Sequence, residues 1–496
     1  MNNLSSNFNT LVLNLIHKQV LENPNNVCIY EKNGKITYVD FWSKCIGFAN
    51  FLIKKTGSKF PIVCIYESKS IFDFVSIIGT LIAGGFYVPI SQLTPYSKLL
   101  KIVKITNANF FSKKTIKSNL KKKINKNIIT HNKIYSSDEL CLAKYKPTNI
   151  AYVLFTSGTT GIPKGVVIEK KSLNIYLDWL VKKINLSHKK NCSQFTSIGF
   201  DLSVADFYLS LCSGSKLFIP DKFDMLYPAR MIYKNKINHL VCTPSFIDFI
   251  KNSKELKKKY FKHVENIFFC GEPLYRQQVF NILKANSKIN IINAYGPTEA
   301  TVSMTYSLIN KNNYKKLSKN TVTIGKPIPK MKINLVDSNM VVNKSKGEIL
   351  ISGPQLSLGY LKLNVENKKR FINLNGVRYF RTGDYAYKHN GQFYFDARTD
   401  NQVKIKGYRV ELSEINYYLR EFGYTNVFTT VLDSKIVSFV QKKKLNIIIL
   451  LRFLKKNLEN YKIPTLIIPI KNFPLNKNKK IDIESLLNTL KNSQHD

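Results

Sequence analysis

Apolar positions recur along this chain in two rhythms, short β-prone runs and stretches spaced by three and four, and the two alternate over most of its length. Runs at 26–30 and 35–38 flank Asn33-Gly34, which predicts a hairpin. Residues 41–55 then place Phe41, Cys45, Phe48 and Leu52 on one helical face. A strand at 61–66, an apolar helix at 72–83 and a strand at 86–89 follow, the last entered through Gly84-Gly85. Farther on the pattern predicts a helix at 172–181, strands at 216–220, 239–242, 266–270 and 289–294, and helices at 244–251 and 275–285. Strands alternating with helices predict an α/β fold with parallel layers. Beyond residue 321 shorter β runs take over, at 332–336, 348–352, 379–381 and 392–396. From residue 401 a small unit has its own helices, at 413–422 and 446–458, and strands. The lysine-dense stretch 112–135 reads as a solvated loop, and there is no internal repeat.

Length and composition narrow the class. A chain of 496 residues can bury a large core and divides into two or three domains. Its hydrophobic content excludes a disordered protein. No apolar run approaches the ~20 residues of a membrane span. The start, Met1-Asn-Asn-Leu-Ser-Ser-Asn, lacks a basic region followed by an apolar run, so the expected location is cytoplasmic. The eight cysteines are scattered singly and lack Cys-x-x-Cys spacing, which fits buried free thiols rather than zinc or disulfides. A formal charge of +44 raises the question of nucleic acid. Lysines and asparagines are nevertheless spread through every region, and no basic helix with interleaved aromatics occurs, so no nucleic-acid partner is expected. A basic face for an acidic protein partner stays open.

One stretch carries the chemistry. After the β-prone residues 152–155, Thr156-Ser157-Gly158-Thr159-Thr160-Gly161-Ile162-Pro163-Lys164-Gly165 packs glycines, hydroxyls and one lysine into a single loop. Glycines let backbone N–H groups approach an anion, and hydroxyls and an ammonium add donors, which suits a polyphosphate. The loop is not a Walker motif, because Pro163 precedes Lys164 and Gly165 follows it. Four more stretches make sense beside it. Asn293-Ala294-Tyr295-Gly296-Pro297-Thr298-Glu299 follows a buried strand and offers a ring, a hydroxyl and a carboxylate that suits Mg2+. Arg381-Thr382-Gly383-Asp384 ends another strand, with a carboxylate able to accept from both ribose hydroxyls. Asp396-Ala397-Arg398-Thr399-Asp400 leads into Gln402-Val-Lys-Ile-Lys-Gly-Tyr-Arg-Val-Glu-Leu412, and Pro474-Leu-Asn-Lys-Asn-Lys-Lys-Ile-Asp482 lies near the end.

Together and in this order, these motifs resemble the adenylate-forming superfamily, from about Gly84 to Asp482. The resemblance implies a large multi-layer N-terminal domain over residues 1–399, with parallel and mixed sheets, helices and a small β-barrel-like part. It also implies a small mobile α+β C-terminal domain over residues 400–496. In that family an acid attacks the α-phosphate of ATP, pyrophosphate leaves, and a thiol then takes the acyl group. The resemblance gives Thr156, Ser157, Gly158, Thr159, Thr160 and Lys164 the β- and γ-phosphates, and Ala294 and Tyr295 the adenine. Thr298 is assigned the α-phosphate, Glu299 the Mg2+, and Asp384 and Arg398 the ribose. Lys480 matches the late lysine that bridges carboxylate and α-phosphate, although Lys479 and Ile483 depart from the usual neighbours and leave Lys477 and Lys479 as spare candidates. Asp400 matches the hinge, and Gly407 belongs to the loop that lines the thiol's route.

The substrate class is signalled by Phe200-Asp201-Leu202-Ser-Val-Ala205-Asp-Phe-Tyr208, similar to the amino-acid-activating branch, where the first aspartate pairs with the substrate's α-ammonium. Pairing a buried carboxylate with a cation is sound, since each is costly to desolvate alone. The other reading of Asp201 is a cap for a helix beginning near Ser203. Residues 269–273 and 294–302 look most like the ligases that load D-alanine onto a carrier protein, and the resemblance makes Leu202, Ala205, Cys270, Ala294 and Val302 pocket-lining residues. Cys270 as an ordinary core thiol remains the alternative. Gln194-Phe-Thr-Ser-Ile198 looks more like a peptide-synthetase adenylation domain. The expected substrate is D-alanine or another small to medium amino acid. Only 14 residues follow Asp482, so a stand-alone enzyme and a separate carrier with a phosphopantetheine arm are expected. The competing readings are an acyl-CoA or aryl-CoA ligase of the same fold and a non-catalytic relative.

Overall fold

The computed structural model describes residues 10–486 apart from 58, 117–121, 123, 125, 135, 142, 159, 160, 320, 343, 344, 399–401, 406, 434, 443, 475–480, 483 and 484. Its centre is a layer of apolar helices between two large sheets. The helix Ile71–Ile82 is apolar on nearly every face, and all its residues from Phe72 to Ile82 are buried. Such a helix needs cover on all sides. It obtains this cover from the helix Tyr38–Lys55 and from strands of both sheets. The helices Lys170–Ile184 and Ser203–Ser213 share the same core.

The nine-stranded sheet contains six parallel strands: Val27–Glu31, Lys216–Phe218, Asn191–Ser193, His239–Cys242, Asn266–Phe269 and Asn290–Tyr295. Antiparallel strands flank them, including Gly34–Thr37 in the expected hairpin. In the seven-stranded sheet, Ile150–Thr156, Phe86–Ile90, Ile62–Tyr66, Phe110–Ser112 and Asn127–Ile129 are parallel. Carboxyl ends of parallel strands are where open α/β sheets bind ligands. The stretch around 270 follows such an end, and 293–299 spans another.

A third sheet is antiparallel and has five strands, Lys332–Val336, Lys346–Ser352, Phe371–Leu374, Val377–His389 and Gln392–Arg398. The residues from 402 onward build separate cores around Val410, Ile415, Leu419, Leu450 and Leu454 and around Val437 and Phe439. This small unit holds the hairpin Gln402–Ile405 with Tyr408–Glu411, the helices Leu412–Glu421 and Ile447–Asn457, and a three-stranded sheet. Mixed α/β architecture is thus observed as expected.

Three local expectations need correction. Within the lysine-dense stretch, Asn127–Ile129 is a strand with Ile128 and Ile129 buried, its apolar signal masked by flanking charge. The stretch Arg381–Asp384 does not end a strand, because Val377–His389 runs straight through it. Leu11–Glu22 is a helix that the periodicity reading does not include, although Val12, Leu13, Ile16 and Val20 form its buried face.

Candidate active site

The phosphate-type loop is the connection of a hairpin. Thr156 pairs with Lys164 and Phe155 with Gly165, so the open loop is shorter than the motif. A Cβ on Gly158 would lie 2.0 Å from the Ile162 carbonyl oxygen, which leaves room only for glycine. Ser157 Oγ donates to the Arg409 carbonyl oxygen at 2.8 Å, and Lys164 Nζ pairs with Glu366 at 2.9 Å. Thr159 and Thr160 lie outside the described residues.

Beside this loop, the end of strand Asn290–Tyr295 meets the third sheet. Thr382, Gly383 and Asp384 stand opposite the irregularity between Glu348 and Leu350, and Gly383 has φ +73°. A bulge of this kind re-aims a side chain. Asp384 is thereby turned inward, accepting from the Tyr295 hydroxyl at 2.7 Å and from Arg398 at 2.5 Å. Ala294, Tyr295 and Arg398 border a cavity of about 280 Å3.

Next to it lies a smaller cavity of about 40 Å3, whose lining includes Asp201, Leu202, Cys270, Thr298, Val302 and Asp384. Ala205 is fully buried in the helix behind and is not part of that lining. Asp201 accepts from the Thr298 hydroxyl at 2.6 Å. It does not cap the following helix, whose N-cap is Leu202. Burial pushes the Asp201 carboxyl up to about 6, with Glu299 also raising it and Thr298 and Lys404 working the other way. Cys270 is likewise pushed up by burial, to about 12, and behaves as a neutral wall whose thiol faces the Val302 carbonyl.

The second cavity is closed by the small unit. Gly407, with φ +82°, donates its N–H to Glu272, and Tyr408 packs on Phe200 with ring centroids 5.6 Å apart. Arg409 reaches Glu299 at 2.9 and 3.1 Å, and the Tyr360 hydroxyl donates to the same carboxylate at 2.6 Å. Burial pushes Glu299 up, but Arg409 and Tyr360 outweigh it and hold the carboxyl below its ordinary value. A buried carboxylate without a cation would be strongly destabilising. Glu299 is therefore a built cation site, and here a guanidinium fills it.

The structure brings Asp201, Thr298, Tyr295, Asp384 and Arg398 together through direct contacts or shared cavities, whereas Glu299 lines neither cavity and meets them through Arg409, which borders the smaller one. Asp400 and Lys480 lie outside the described residues. Sequence reasoning did not single out Arg409, Lys404, Tyr360 or Glu366. The first two sit inside a quoted motif, whereas Tyr360 and Glu366 carry no local signal. Among the described residues no group of three or more metal-ligating side chains occurs. No helix among them is long and apolar enough to cross a membrane.

A glycine- and hydroxyl-rich hairpin, an inward-turned carboxylate beside an aromatic strand end, and a buried glutamate paired with a guanidinium thus lie close together. Residues 16–361 match the AMP-binding enzyme family, and the chain belongs to it. It is 30% identical over 495 residues to gramicidin S synthase 1 of Brevibacillus brevis, covering 95% of this chain and 44% of that protein. It is 28% identical over 505 residues to D-alanine–D-alanyl carrier protein ligase of Bacillus cytotoxicus, covering 96% of this chain and 99% of that one. The fold matches that of the Vibrio cholerae adenylation domain AlmE in complex with glycyl-adenosine-5'-phosphate, with a TM-score of 0.86, 22% identity and 98% of each chain covered. Holo-PA1221, a protein containing adenylation and PCP domains, matches with a TM-score of 0.82 at 18% identity, over 96% of this chain and 84% of that one.

Proposed function

We propose that the protein activates a small amino acid as an aminoacyl-AMP, releases pyrophosphate, and passes the aminoacyl group to the phosphopantetheine thiol of a separate carrier protein. The observation that carries this reading is Asp201, a buried carboxylate in a cavity of about 40 Å3 beside Thr298. An α-ammonium is the cation such a carboxylate needs, and a cavity this small favours a small amino acid such as glycine or either alanine. A fatty or aryl acid has no ammonium and would leave Asp201 with the Thr298 hydroxyl but no ammonium to pair with.

In the first half-reaction a carboxylate oxygen of the amino acid bonds to the α-phosphorus as the bond to the β-phosphate oxygen breaks. Ser157, Lys164 and the loop backbone hold the departing pyrophosphate, Thr298 contacts the α-phosphate, and Tyr295, Asp384 and Arg398 hold the nucleoside. Oriented donors of this kind offset charge as it builds up. Glu299 fits Mg2+, since that ion commonly binds one carboxylate and completes its shell with phosphate oxygens and water. When bound, Mg2+ would neutralise phosphate charge. Lys480 would bridge carboxylate and phosphate in this step, with the 400–496 unit turned about Asp400.

The observed orientation suits the second half-reaction. Gly407 stands at the Asp201 cavity, Arg409 pairs with Glu299, and the neighbouring Tyr408 borders a cleft of about 540 Å3 by which a thiol would approach. The thiol sulfur then bonds to the acyl carbon and AMP leaves. The excess of lysine and arginine over acidic residues favours docking of an acidic carrier. Free, mostly buried cysteines fit a cytoplasmic location.

One assay tests the product. Incubation with ATP, Mg2+, pantetheine and single acids should yield an aminoacyl-pantetheine thioester, seen by mass, with glycine or an alanine. Thioester from fatty or aryl acids alone would overturn the reading. A pH dependence follows from Asp201. Its carboxyl, raised to about 6, must be ionised to pair with the ammonium, so kcat/KM for the amino acid should fall about tenfold per pH unit below about 6. Asp201→Asn should be weak throughout and lack this limb. A wild-type profile flat down to pH ~5 would contradict the assignment.

A further inference from the structure

We infer that Lys98 is a positioning residue for the transfer half-reaction, holding the small unit in the orientation that brings Gly407 and Arg409 to the site. The inference rests on the two-step function proposed above. Lys98 lies in the first turn of the helix Tyr96–Thr106, on the large part of the molecule, yet both its partners belong to the small unit. Its Nζ is 3.2 Å from Glu414 and 2.8 Å from Glu459. Lys462 Nζ closes the ring, 2.8 Å from each of the same carboxylates. All four side chains are at most 7% exposed. Beside the ring, Ser97 Oγ donates to the Lys456 carbonyl oxygen at 3.0 Å.

Without Lys98 the small unit contributes one ammonium and two carboxylates to this buried spot, a net charge of −1. Lys98 supplies the missing cation from across the interface. Burial pushes the Glu459 carboxyl up, but the two ammonium groups bring it down to about 2, so Glu459 stays ionised at working pH. A buried ring of alternating charges accepts only one registration, because a displaced partner leaves a charge buried and unpaired. Once the small unit turns away, Lys98 returns to water, where exposed pairs are worth little. Lys98 therefore favours one orientation without opposing the other. It lines neither the Asp201 cavity nor its neighbour.

The test uses the full chain as wild type, Lys98→Met, which keeps the apolar stem, and Lys98→Arg. Pyrophosphate exchange with glycine, D-alanine and L-alanine reports the first half-reaction, and transfer from supplied alanyl-AMP to pantetheine reports the second. Hydrogen exchange of the 402–411 hairpin reports docking independently of chemistry. Lys98→Met should keep pyrophosphate exchange within about threefold, slow transfer about 10–100-fold and deprotect the hairpin, and Lys98→Arg should recover most of the transfer. Transfer at the wild-type rate in Lys98→Met would overturn the inference, as would equal loss of both half-reactions. If the wild type exchanges pyrophosphate with none of these amino acids, the two-step reading fails, and an unchanged hairpin in Lys98→Met would then sink the positioning role as well.

Discussion

Lys480→Ala should lower adenylate formation by about 10²–10³-fold, the usual cost of one preorganised charge-stabilising donor, while transfer from supplied alanyl-AMP stays within a few-fold of wild type. Adenylation brings a carboxylate against a phosphate, two anions that a mobile ammonium must bridge as the bond forms. Transfer brings a thiol to an already activated acyl group and has no such need. In the observed orientation the surroundings of Glu299 and Asp201 are taken by Arg409 and Gly407. Lys477 and Lys479 lie close by in sequence, so each is replaced singly in parallel. Pyrophosphate exchange and single-turnover transfer separate the steps, and an equal fall in both would remove Lys480 from this role.

Gly407→Ala should do the opposite. Gly407 holds φ +82°, and a Cβ there would come within 2.3 Å of Thr243 Cγ2. Strain in the left-handed region costs about 1–2 kcal/mol in either orientation, and the clash with Thr243 adds to it only while the hairpin is inserted. Transfer should therefore fall about 10–100-fold with pyrophosphate exchange within about threefold of wild type. Parallel measurement of both steps in the same preparation checks this. Exchange impaired as much as transfer would mean that the hairpin is not specific to the second step.

How much of this was legible beforehand follows from where the signals lie. Asp201, Thr298, Glu299 and Asp384 were readable because each sits in a short run with a fixed chemical demand, and the structure places Asp201, Thr298 and Asp384 around one cavity, with Glu299 reached through Arg409 on its border. The layered α/β core was readable too, since strands such as His239–Cys242 and helices such as Ile71–Ile82 are apolar enough to announce burial. Contacts between distant segments were not readable. Nothing near Tyr360 marks it as a donor to Glu299, 61 positions away. Nothing in the Lys98 region distinguishes that lysine from the many solvated ones, because its meaning comes from Glu414 and Glu459. The inward turn of Asp384 depends on a bulge, which is a property of strand register rather than of local pattern.

The central claim is that an amino acid, recognised through its ammonium, is activated on ATP. The most direct measurement is exchange of labelled pyrophosphate into ATP with Mg2+ and no thiol acceptor, run separately with each D- and L-amino acid, glycine, and a panel of fatty and aryl acids. The account predicts exchange with one or a few small amino acids, lost in Asp201→Ala at moderate substrate concentration and absent with the other acids. Exchange supported by a fatty or aryl acid and by no amino acid would contradict it.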